Sequence, residues 1–152
     1  MKKKITLNPI IAIVLVLAIA AVSCFSANYI VNKDHKARLT EAFSVEFHAM
    51  INGFSHKWET DEEKLRIASD ISAHSYSAMS LFPYTSYADN ADLSDVVRFM
   101  YNLCSMGRVL EAVDRETASE LTDLAFRIDD RNLAKNLAEK LSEIASREVG
   151  KN

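Results

Sequence analysis

Four histidines are the most diagnostic chemistry-bearing residues in this 152-residue chain, and their spacing decides what they can hold. His48 and His56 are eight positions apart, so a continuous helix would put them on one face but about 12 Å apart along its axis. A metal ion takes nitrogens at about 2 Å, so that pair cannot chelate one alone. Asp70 and His74 stand at i, i+4 and could share a ligand, yet two donors leave a site incomplete. An aspartate orienting a packed histidine is the plainer reading, and no metal is expected. Ser69, Ser72, Ser75, Ser77 and Ser80 are plentiful hydroxyls, but on a helix they read as small packing residues. A nucleophilic serine needs a base and an oxyanion donor set, and no strand-turn-helix elbow presents either. Asp129 and Asp130 are adjacent and point apart on a helix, which suits a cap better than acid–base work. The chain is therefore expected to be non-enzymatic and to need no cofactor.

The segment from Leu81 to Tyr87, LFPYTSY, carries chemistry of another kind. Phe82, Tyr84 and Tyr87 lie in a loop beside a helix end, and aromatic side chains bury much area at little entropic cost. They are candidates for partner contact; the alternative is that they close the open end of a helical bundle. Glu111, Asp114, Glu116, Glu120 and Asp123 form an acidic stretch that reads as solvated helix surface. Residues beyond 31 hold all 21 acidic but only 15 of the 18 basic side chains, a net charge of −6. That balance argues against nucleic acid, whose phosphates call for clustered Lys and Arg.

Residues 10–31, IIAIVLVLAIAAVSCFSANYIV, carry no charge and follow Lys2, Lys3 and Lys4. As a helix they would reach about 33 Å, enough for a hydrocarbon core of about 30 Å. Three fates are open to this leader. An uncleaved signal-anchor explains why the apolar run continues through Phe25 to Val31 and ends in an interfacial tyrosine, Tyr29. Ala21-Val22-Ser23-Cys24 resembles the lipobox of bacterial lipoproteins, which makes Cys24 a candidate for lipidation, although Ala21 stands where leucine is usual. Simple cleavage after Ser23 is the third, since Ala21 and Ser23 are small. The lysines hold the first residues inside, so the remainder is expected outside the cytoplasmic membrane. Cys104 reads as a small buried hydrophobe, and two distant cysteines make no disulfide framework.

The remainder reads as helices. Leu39, Phe43, Phe47, Met50 and Phe54 form one stripe at spacings of four and three, with no breaker between it and the apolar run. A stalk helix emerging from the bilayer is expected, weakened near Gly53. Thr60-Asp61-Glu62-Glu63 has the form of a capping box and predicts a helix over 61–81, striped by Ile67, Ile71, His74, Ala78 and Leu81. Its flank of Ser69, Ala73 and Ser77 predicts a close-approaching neighbour, and Pro83 marks the stop. Val96, Phe99, Leu103, Met106, Leu110 and Val113 predict one long seam-packing helix. Thr117 to Glu120 offers a further box ahead of Leu121, Leu124 and Ile128. Leu133, Leu137, Leu141 and Ile144 then lie on another phase. Either Asp129-Asp130 caps a new helix there, or one long helix presents two faces.

The order of single span, charged stalk, Ser/Ala-rich helix ending in Ser80-Leu81-Phe82-Pro83, then Leu93-Ser94 leading into Phe99-Met100-Tyr101, resembles the N-terminal helical region of membrane-anchored spore germination proteins that partner a cortex-lytic enzyme. That resemblance implies a tethered partner or stabiliser of a cell-wall hydrolase. The expected class is all-α: an N-terminal transmembrane helix followed by a three- or four-helix antiparallel bundle. The expected organisation is a short cytoplasmic N-terminus over 1–9, the signal-anchor helix over 10–31 and the bundle over 32–149. Such a protein would sit in the cell membrane as a single-pass module. Its partners would be the lipid bilayer and a protein of unknown identity, with a second copy of itself among the candidates.

Overall fold

Four helix starts in this chain are set by short polar side chains that accept the first free amides. The computed structural model describes the backbone of residues 9–150, and the side chains of Val22 and of residues 29–150. Those residues form six α-helices and no strand: α1 (Pro9–Asn52), α2 (Asp61–Leu81), α3 (Ala91–Ser105), α4 (Val109–Ala112), α5 (Arg115–Phe126) and α6 (Arg131–Val149). Thr60 Oγ1 accepts from the Glu63 amide at 3.2 Å, and Glu63 Oε2 accepts in return from the Thr60 amide at 3.2 Å. The box predicted before α2 is thus formed. Asn90 caps α3, Asp114 caps α5 and Asp130 caps α6, each through an oxygen that accepts from the amide three residues on.

The all-helical class stands, but the helix count is higher than three or four. Two breaks account for it. Gly107 adopts φ +67, the left-handed region glycine enters freely, with its amide on Cys104 O and the Arg108 amide on Leu103 O. This paired arrangement ends α3 at Ser105, so the long 96–113 seam is two helices, α3 and α4. Asp130 then starts α6 and resolves the phase shift after Ile128 in favour of a separate helix. The box read at Thr117 is not a cap. Thr117 lies inside the first turn of α5 and is fully buried, while Asp114 takes the capping place.

The chain divides into two units, Met1–His35 and Lys36–Asn152. In the first, Val22, Tyr29, Ile30 and Val31 are exposed apolar side chains. Residues 1–8 of the expected N-terminus lie outside the described residues, as do the side chains of most of the expected span over 10–31, that of Cys24 included. Among the described residues, no helix is long and apolar enough to cross a membrane.

The second unit has one core. Leu93, Val96, Met100 and Leu103 of α3 and Leu137 and Leu141 of α6 are completely buried. α3 and α6 are the most extensively packed pair, followed by α2 with α3. Buried alanines 134, 138 and 145 on α6 let backbones come close, because a methyl group is all that lies between them. The small flank predicted on α2 does not serve that purpose: Ser69 and Ala73 are exposed, and the buried small residues are Ser75 and Ala78. α1 is held differently. Its stripe of Phe43, Phe47 and Met50 is fully buried, and these large side chains keep its backbone away from its neighbours.

Candidate functional site

Where α1 ends, the chain makes a 3-10 turn, Gly53–Ser55, then runs extended from His56 towards α2. Gly53 lies directly on the Ile71 side chain of α2, and a β-carbon there would overlap it. That close fit lays the turn over the core. It also leaves an open groove of about 980 Å³ between this segment and the α4–α5 region. α1 and α5 are not among the closely packed helix pairs, and the space between their backbones is left open.

One wall comes from α1 and the turn: His48, Ile51, Phe54 and, further on, Trp58. The other comes from Leu110, Val113 and one face of α5, running from Arg115 through Ala118, Ser119 and Thr122 to Phe126. Ile51 and Val113 are buried, whereas Trp58 is 40% and Phe126 77% exposed. The His48 ring meets Phe126 edge-on, with centroids 5.8 Å apart. Volumes of this size belong to ligand and side-chain binding sites, in which an apolar floor carries a few polar groups.

The ionisable groups are mostly basic. His48 Nδ1 lies 2.7 Å from Ser44 O, and His56 Nδ1 lies 3.0 Å from Asn52 O. A carbonyl only accepts, so each Nδ1 carries a proton and each Nε2 is left for other partners. Lys57 and Arg115 also line the groove, and neither has an ion-pair partner among the described residues. Asp114 is the one carboxylate there, and it is engaged: the Thr117 amide donates to it at 2.8 Å. That bond holds its carboxyl below the usual aspartate range.

The predicted contact loop is built partly into the core. Phe82 is buried and meets Phe43 edge-on at 5.6 Å, while Tyr87 lies 6.0 Å from the same ring. Burial pushes the Tyr87 phenol up, with Asp129 adding to it. Thr85 and Ser86 fasten the loop, Ser86 donating its amide to Thr40 Oγ1 at 2.8 Å. Two of the three aromatics therefore close the end of the core, and Tyr84 alone is open, at 64% exposure.

The other candidates disperse. His74 pairs with Glu46 of α1 at 2.8 Å rather than with Asp70. His48 and His56 do not share a helix, because the 3-10 turn intervenes. Among the described residues no three His, Cys, Asp or Glu side chains are grouped to hold a metal. Cys104 is buried and its thiol is pushed up to about 11 by desolvation, well away from thiolate chemistry. Ser75 Oγ, fully buried, makes no well-formed hydrogen bond; the thiol of Cys104 is its weak polar neighbour. The acidic stretch is largely paired: Glu111 with Lys64 at 2.7 Å, and Glu120 and Glu116 with Lys140 at 3.1 and 3.6 Å.

Apolar periodicity does not reveal the groove, because Trp58 lies between helices and Phe126 lies off the apolar stripe of α5. The usable signal is that mismatch: large aromatics that no apolar helical face claims. No protein family, curated protein or solved structure matches this chain.

Proposed function

We propose that this protein is a membrane-tethered helical module that binds another protein through the groove between α1 and α5 and catalyses no reaction. The observation that carries it is the exposed aromatic pair, Trp58 and Phe126, beside an apolar floor. A rim of Lys57 and Arg115 adds unpaired positive charge to a region of opposite net charge. Buried apolar anchors with a polar rim are the usual anatomy of a protein contact.

The tether is the uncharged run 10–31, long enough as a helix to span a bilayer. The exposed Tyr29, Ile30 and Val31 fit its interfacial end. The lysines ahead of it favour an extracytoplasmic position for the helical domain. Anchoring through a lipidated Cys24 is the competing form of the same function, supported by the Ala21–Cys24 sequence.

The test is a photo-crosslinking residue placed at Phe126 in the full chain, irradiated in membranes. A discrete adduct that disappears when the probe moves to exposed Glu143 on α6 supports the reading. Equal labelling from both positions, or none from either, overturns it. Mass analysis of the membrane-extracted chain and of Cys24→Ala separates the two anchors. A lipid-sized increment lost with the cysteine identifies the lipid form.

A further inference from the structure

We propose that the protein occupying this groove is a second copy of the same chain, docked by antiparallel pairing of α5 with α5 about a two-fold axis. The inference rests on the groove being a protein-contact site, as above, and names its partner.

The pattern on α5 is what selects a second copy. Arg115, Ser119, Thr122 and Phe126 are spaced 4-3-4, and all four are exposed. They make one straight stripe along a helix of 12 residues, about 18 Å long. Turned end over end, that stripe complements itself. Arg115 comes opposite Phe126 of the second copy, where a guanidinium over an aromatic face is favourable. Ser119 comes opposite Thr122, and these short side chains allow the two helices to lie close. Asp123, also exposed and without an ion pair among the described residues, lies one turn back from Phe126. It falls within reach of the same arginine.

Each contact occurs twice, as a two-fold interface requires. The antiparallel arrangement also sets the positive start of each α5 against the negative end of the other. Phe126 of each copy then leaves water beside the basic end of the other copy's groove. A common membrane tether would confine the copies and raise their effective concentration.

The full chain, in density-matched detergent micelles, is measured by sedimentation equilibrium. The wild type should form dimers. Phe126→Lys and Arg115→Glu should each weaken dimerisation at least tenfold with helicity unchanged by circular dichroism. Adding Asp123→Arg to Arg115→Glu should restore it to within about threefold of wild type. A second readout does not depend on these substitutions: Ser119→Cys and Thr122→Cys chains, each in a Cys24→Ala background, should form a mixed disulfide when combined. A monomeric wild type overturns the inference. So does a dimer that both single variants leave intact, a double variant that stays monomeric, or the absence of mixed disulfide. If the wild type is monomeric while a probe at Phe126 still labels a different protein, the groove remains a contact site and only the second copy is refuted.

Discussion

The α3–α6 core is sealed with aliphatic side chains, whereas the α1–α5 groove, lined by aromatic and basic ones, stays open. In the core, small residues on α6 let leucines from both helices meet fully out of water. The buried phenylalanines of α1 hold its backbone off the core; beside them α1 turns His48, Ala49 and Ile51 to the groove, and α5 packs on α6 instead. Side-chain size at the crossing therefore decides which helix pairs close. An aromatic stripe buries itself well but leaves space beside it. That space is where exposed aromatics and unpaired cations gather.

Four substitutions put this contrast at risk, beginning with the sealed side. Leu137→Ala, at a fully buried site on α6, should cost about 2–5 kcal/mol in urea or guanidinium unfolding. A loss well under 1 kcal/mol would mean the core is not close-packed there. Gly53→Ala tests the junction between the regions. Its new methyl group meets buried Ile71, so a loss of about 1–3 kcal/mol is expected in the same unfolding measurement.

Asp114→Ala removes the α5 cap and should cost about 1 kcal/mol. Its pH dependence has a defined sign. The folded-state carboxyl is held low by the Thr117 amide, so its contribution is complete above the ordinary aspartate range. It is lost as pH falls through the depressed value. Comparing unfolding of Asp114→Ala with wild type from pH 7 down to pH 2 should show the difference shrinking with acid. A constant difference would remove the electrostatic explanation. Phe126→Ala is the smallest effect: within about 0.5 kcal/mol, since the ring is mostly exposed. A larger loss would make Phe126 a structural residue and close the case for an open contact surface.

Much of the fold was legible in the residues themselves. The Thr60–Glu63 box, the α2 boundaries and the stripe of Phe43, Phe47 and Met50 all follow from local rules, because capping and periodicity act within a turn or two. The helix breaks were harder. Gly107 follows a seam that continues in register through Leu110 and Val113, so periodicity ran straight past a left-handed turn. Thr117 has the residue type of a cap and loses that place to Asp114, which stands one turn earlier. The loop aromatics show the same limit from the functional side. Phe82 and Tyr87 look like contact residues until Phe43, some forty positions away, claims them. The groove depends on which helices fail to approach each other, and that is a non-local property no single stretch encodes.

Trp58 is the chain's only tryptophan, and it lines the groove half in water. The protein therefore carries an intrinsic optical reporter at the place proposed to bind. Occupancy that dries the indole should blue-shift its emission and slow quenching by iodide, so association can be followed in unlabelled protein.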